Sequence, residues 1–339
     1  MKILSIICCF VIILSCFSIT ALAYEPNVIL SAITTSTDGI SEKKEINATG
    51  MEKIKADTTL STQNKVVEIF EELGIDNIER SGIYAELVTD FDYINSIVTI
   101  KNYYETDSIS GDTRKISKTE CLNKIEKSQS AKSRSSISEE TTSDNGYMSI
   151  ATTAISKSNE AVGTYNFIAS FEWLKTPLTR STDAISMASN GITWLSGESN
   201  NYYSANFMYN ETVYSDGTQT TTTITESKSY PESFETNGFY FSFNLPNNIT
   251  SIGGDAGIRY DGFFMMVTAK GRVTNYSNAN QMLNINTKYA HVQIKSLASV
   301  SFSWTLGDAP GVSISKGSLA EKYYNNYLAW DYSDHYYEY

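Results

Sequence analysis

From Tyr165 onward the chain repeats one pattern, a large apolar side chain followed by a small or polar one. Tyr165, Phe167, Ala169, Phe171 and Trp173 are separated by Asn166, Ile168, Ser170 and Glu172. Tyr203, Ala205, Phe207 and Tyr209 are interleaved with Ser204, Asn206 and Met208, and Phe239, Phe241, Phe243 and Leu245 with Tyr240, Ser242 and Asn244. Val300, Phe302, Trp304 and Leu306 alternate with Ser299, Ser301, Ser303 and Thr305. A period of two sends one set of side chains to a core and the other to water, which an extended strand can do and a helix cannot. Phe263 to Val267 is apolar at every position and reads as a central strand. Asp216-Gly217, Asn237-Gly238 and Asp261-Gly262 supply turns between strands. The expected fold is mainly β, with an antiparallel β-sandwich-like domain over residues 147–339. Two short helical insertions are expected in it. One runs from Thr182 to Ser189, and one begins at the capping-box pattern Ser318-Leu319-Ala320-Glu321.

The first 146 residues read differently. Lys2, the apolar run Ile3 to Phe17 and the exit Ala21-Leu22-Ala23 fit a secretory signal peptide over 1–23, cleaved after Ala23. A retained anchor and lipid attachment at Cys16 are the alternatives. Residues 24–60 are polar and read as a flexible leader. Residues 61–105 read as a small α+β segment. Its helix starts at Ser61 or Thr62, runs to Leu73 and is stopped by Gly74; strands follow at Ile83–Val88 and Ile97–Tyr104. Residues 106–146 read as a polar linker. Processing near Lys132 or Arg134 would make 24–135 a propeptide.

Of the four cysteines, Cys8, Cys9 and Cys16 lie in the signal peptide, so the exported chain keeps Cys121 alone and cannot close an intrachain disulfide. The net charge is −12, and removing the signal peptide 1–23 with Lys2 leaves −13. That acidity argues against a nucleic-acid partner and against electrostatic docking on anionic membranes. The expected location is extracellular, secreted and disulfide-free.

Motifs for chemistry are sparse. The two histidines are far apart; His291, between Ala290 and Val292, is expected on a wet outer face if Val292 and Ile294 point inward. Zinc ligation needs clustered Cys and His, so no metal and no cofactor is expected. Ser313-Ile314-Ser315-Lys316 and Ser143-Asp144-Asn145 match two penicillin-recognition motifs in reversed order, without the third, and read as chance. Asp255 and Asp261 flank a glycine loop that reads as a plain turn. Glu172, with Asp183, Glu198 and Glu211 nearby in sequence, leaves a sugar hydrolase open, because such carboxylate pairs meet only in three dimensions.

The aromatic tail offers binding surface. Tyr323, Tyr324, Tyr327 and Trp330 are the candidate ligand-binding residues, since flat rings with polar handles suit sugars and protein partners. Thr218 to Thr225, with Ser299–Leu306, resembles the hydroxyl-rich amphipathic hairpins of β-pore-forming toxins. The leading expectation is a secreted, non-enzymatic binding protein presenting its β-domain to a cell-surface glycan or protein. A membrane-active protein, pore-forming or bacteriocin-like, comes second, and a secreted hydrolase third.

Overall fold

The computed structural model describes residues 28–107, 112–131, 145–175, 182–189, 191–195, 203–215, 218–235, 237–250, 257–273, 282–293, 301–305, 311–315 and 320–331. The stretch 1–23 expected as a signal peptide lies outside them, as do Glu198, Asp255 and the pair Ser143-Asp144.

The helices are α1 (Val28–Ala32), α2 (Ala48–Ala56), α3 (Thr62–Glu72), α4 (Tyr84–Thr89) and α5 (Lys118–Ala131). Strands of the first part are β1 (Thr34–Thr37), β2 (Glu42–Ile46), β3 (Ile94–Thr106), β4 (Thr113–Ile116), β5 (Gly146–Lys157), β6 (Thr164–Lys175), β7 (Thr182–Ala188) and β8 (Ile192–Trp194). They continue as β9 (Tyr203–Ser215), β10 (Thr218–Lys228), β11 (Ser233–Glu235), β12 (Gly238–Asn244), β13 (Ile249–Thr250) and β14 (Gly257–Val273). The last four are β15 (Met282–Gln293), β16 (Ser301–Thr305), β17 (Gly311–Ser315) and β18 (Ala320–Asp331).

The molecule is mainly β and antiparallel. The larger sheet runs β1-β2-β3-β5-β6-β14-β9-β10, with β4 beside β3 and with β8 and β13 beside β14. The smaller runs β11-β12-β7-β15-β18, and β16 pairs with β17 alone. The alternation read from the sequence decides how these sheets stack. Phe167, Phe171, Trp173, Phe207, Phe263 and Met265 of the larger sheet share one core with Ile185, Met187, Phe239, Phe241, Ile285 and Tyr289 of the smaller.

The other face of the larger sheet is also covered. Ile97, Ala151, Ile155, Ile168, Met208, Phe264 and Met266 pack against Ile29, Met51, Ile54, Val66, Ile69, Phe70 and Leu87 of the helices. Residues 28–60, expected as a flexible leader, are therefore ordered. Isolated apolar residues such as Ile29, Ile46 and Ile54 are fully buried there, too few in sequence to reveal a core that the sheet completes. The 61–105 segment does not stand apart either, because β3 pairs with β5 from Ile94–Lys157 to Thr106–Gly146. The expected linker contains β4 and α5.

Local signals explain the other differences. The helix from Thr62 forms as expected: Ser61 Oγ accepts from the Asn64 amide, and Gly74, at φ +86°, ends it. Ile83–Val88 is mostly helix, because Ile83 and Leu87, four apart, both reach the core. Thr182–Ser189 is a strand, wedged between β12 and β15 and buried along almost its whole length, so tertiary pairing overrides its alanine and methionine. The expected C-terminal helix is likewise strand β18, paired with β15 from Met282–Asp331 to Gln293–Ala320.

A cluster around Glu105 fastens α5 to the sheet. The Glu105 carboxylate, 7% exposed, receives Arg114 Nη2 at 2.6 Å and Lys124 Nζ at 2.7 Å. Asn145 Nδ2 donates to it at 2.9 Å and Tyr147 OH at 3.1 Å. Burial acts to raise its pKa, but the bonds from Lys124, Asn145 and Arg114 outweigh that and hold it at about 2, against an ordinary 4.5. A carboxylate held low contributes stability above its unfolded pKa and loses it as pH falls toward the folded value. Glu105→Gln is therefore expected to cost about 3 kcal/mol at neutral pH. The gap to wild type should close between pH 4.5 and about 2. Urea titrations of both proteins across that range check it; a pH-independent gap would contradict the assignment.

Candidate interaction site

Side chains of the described residues meet in three places that bear on function. The first lies inside the stack of two sheets. Trp173 Nε1 donates to Tyr289 OH at 2.8 Å, Tyr289 OH donates to Asp183, and His291 Nδ1 lies 3.0 Å from both Asp183 oxygens. Asp183, Tyr289 and His291 are completely buried, and His291 Nε2 has no hydrogen-bond partner among the described residues. This corrects the expected wet face for His291. Leu283, Ile285, Tyr289 and His291 share the inward face of β15, one residue out of phase with the expected set Val292 and Ile294. The network links β6, β7 and β15 across the interior and faces no solvent.

The second place is a polar strip on the helix-covered face. Tyr103, Ser149 and Glu172 lie side by side across β3, β5 and β6, with Lys101 one row along. Ser149 Oγ donates to Glu172 at 3.4 Å, and Lys101 Nζ donates to the Gly74 carbonyl at 2.8 Å. Burial raises the Glu172 pKa, Lys101 opposes the rise and Asp76 adds to it; burial likewise lowers that of Lys101. Of the carboxylates grouped with Glu172 in the sequence, Glu198 lies outside the described residues, and Asp183 and Glu211 do not join it. Asp183 faces the inter-sheet core, and Glu211 lies on β9 opposite Thr222. Among the described residues no three His, Cys, Asp or Glu side chains are grouped to hold a metal ion. Cys121 is buried against Tyr103, Ile116 and Tyr147, and burial pushes its thiol up to about 11, which suits an inert packing residue.

The third is the hairpin β9–β10. Beyond the core, β14 turns at a register shift between Asp261 and Phe264. Gly262 sits there at φ +63°, where an added Cβ would lie 2.7 Å from Asn210 Nδ2. Past this bend β9, β10 and the start of β14 run on together, and Tyr209 and Tyr260 stack edge to face at 5.8 Å. Among the described strands β10 is the last of its sheet, and six of its eleven residues are threonine. Apart from half-buried Ile224 and Lys228, every residue of β10 is exposed. Ser215 and Thr218 are the first paired residues of the hairpin, with two residues between them in the chain, and a pair at that spacing exchanges both backbone hydrogen bonds. Thr218, Thr220, Thr222, Ile224 and Glu226 then direct their backbone groups to β9. Those of Gln219, Thr221, Thr223, Thr225 and Ser227 point outward.

The expected ligand-binding residues fall on β18, where Tyr323, Tyr324, Tyr327 and Trp330 lie opposite Ala290, Tyr289, Asn286 and Leu283. Their side chains lie outside the described part, as do those of β16 and β17. The free edge is a feature that sequence reading missed. The threonine run marked a strand, but which strand ends the sheet depends on pairing between residues far apart in the chain. No protein-family model matches this chain, and no curated protein matches it.

Proposed function

We propose that this is an exported, non-enzymatic interaction protein that takes an extended segment of a protein partner along strand β10. The observation that carries the reading is the outer edge of that strand, which no described strand pairs with. Exposed strand edges are templates for another chain, and soluble proteins normally blunt them by shortness, charge, proline or bulges. The opposite edge of the same sheet follows that rule, since β1 has four residues and its neighbour β2 reads Glu-Lys-Lys-Glu-Ile. β10 has eleven residues, and from Gln219 to Thr225 it carries no charge and no proline. Exposed Tyr230 (70%) and Phe234 (40%) lie just past its C-terminal end and offer apolar anchoring beside the backbone template.

The test is a display library of short extended peptides panned on sparsely immobilised protein, with Thr223→Pro in parallel. Proline removes one outward amide and leaves the backbone ladder to β9 intact, losing there only the bond that Thr223 Oγ1 donates to Asn210 Oδ1 at 3.1 Å. Sequences enriched on wild type and lost on Thr223→Pro support the reading; equal recovery on both proteins, or none on either, contradicts it.

The hairpin also bears on the membrane-active alternative. One face pairs Phe207 with Glu226, Tyr209 with Ile224, Glu211 with Thr222 and Val213 with Thr220. The other pairs Met208 with Thr225, Asn210 with Thr223 and Thr212 with Thr221. A lipid-facing wall needs about 9–11 residues per strand with one apolar face, and acidic groups on that face oppose insertion. Neither face qualifies. Dye-loaded vesicles of neutral and anionic lipid are expected to stay intact at micromolar protein; release of the dye would favour insertion instead.

A further inference from the structure

We infer that the partner that β10 fits is a second copy of the same chain, the two strands pairing antiparallel about a two-fold axis at Thr223. This rests on the reading of β10 as an interaction edge and names its occupant.

The argument is one of self-complementarity. The outward backbone groups belong to Gln219, Thr221, Thr223, Thr225 and Ser227. In an antiparallel pair centred on Thr223 they meet as Thr223 with Thr223, Thr221 with Thr225 and Gln219 with Ser227. That makes five mutually bonded pairs and about ten hydrogen bonds. The residues between them meet as Thr222 with Ile224, Thr220 with Glu226 and Thr218 with Lys228, so no like charges face each other. Both charged residues of β10, Glu226 and Lys228, lie at its C-terminal end, which the two-fold places against the uncharged start of the other copy. Opposed β-branched threonines are favourable cross-strand neighbours, with hydroxyls able to bond across the pair. A two-fold contact of this kind closes on itself and stops at the dimer. No described strand pairs with this edge, and nine of the eleven residues of β10 are exposed.

An interface built on one strand is small, so association is weak and concentration-dependent. Sedimentation velocity from sub-micromolar to high micromolar protein should show the wild type moving from monomer to dimer. Thr223→Lys and Thr223→Glu each place like charges at the axis and should weaken self-association about tenfold or more. Mixing the two variants should restore the dimer, because opposite charges then meet. That rescue also shows that both variants are folded. A wild type that stays monomeric throughout, or two variants that dimerise as well alone as mixed, overturns the second copy as occupant. The peptide panning above still tests the edge itself, so the two failures can be told apart.

Discussion

Asp183→Ala is expected to destabilise the protein by about 3–5 kcal/mol, because it leaves buried partners without their acceptor. The carboxylate is fully enclosed between the sheets and takes a hydrogen bond from Tyr289 and another contact from His291 Nδ1. Removing it also opens a small void under Trp173, whose Nε1 depends on the Tyr289 hydroxyl staying in place. For a chain of this length that corresponds to a fall in melting temperature of about 4–7 °C. Replacing His291 by phenylalanine should cost less, since its Nε2 already lacks a partner among the described residues. A double-mutant cycle over Asp183 and His291 should show strong coupling, as expected for groups in direct contact. A loss below about 1 kcal/mol for Asp183→Ala would mean that water reaches the network and that the two sheets do not close over it.

The fragment 147–339 is expected not to fold when expressed alone. Without the first part, Ile155, Ile168, Met208, Phe264 and Met266 would lose the helices that cover them. At about 1.5–3 kcal/mol for each such side chain, exposure costs about 10 kcal/mol. That is comparable to the whole stability of a typical domain, about 5–15 kcal/mol. The fragment would also leave β5 with an open edge where β3 belongs. Aggregated or dye-binding, non-cooperative material is the expected product. A chain cut at an engineered protease site between residues 134 and 145 should behave differently. Its two pieces keep the β3–β5 ladder and the shared core, and should elute together in gel filtration. A soluble 147–339 fragment with a sharp melting transition would contradict this and support the propeptide reading.

The sequence disclosed the strands better than their neighbours. Alternation at Tyr165–Trp173, Tyr203–Tyr209 and Phe239–Leu245 is local, and each segment is a strand with its large residues inward. The all-apolar run at Phe263–Val267 is likewise flanked on both sides, by β6 and β9. Where local signals and pairing disagreed, pairing won. The capping-box pattern Ser318–Glu321, and the N-cap at Thr182 with the stop at Asn190-Gly191, suggested helices, yet the described residues of both segments lie against β15. His291 shows a subtler failure. The strand was legible, but its phase was set by Leu283, Ile285 and Tyr289 rather than by the nearer Val292 and Ile294, and a shift of one residue reverses every side chain. The N-terminal third was hardest to read, because its scattered isoleucines make a core only on a sheet supplied by residues more than fifty positions later. The free edge at β10 was invisible for the same reason.

The most direct test of that edge is residue-resolved amide hydrogen exchange along β10 in dilute protein. The amides of Gln219, Thr221, Thr223 and Thr225 should exchange rapidly, and those of Thr220, Thr222 and Ile224 slowly. Raising the protein concentration should slow the first set as the edge is filled. Uniform protection in dilute solution would mean that the edge is already covered within one chain, and uniformly fast exchange would mean that the hairpin does not form.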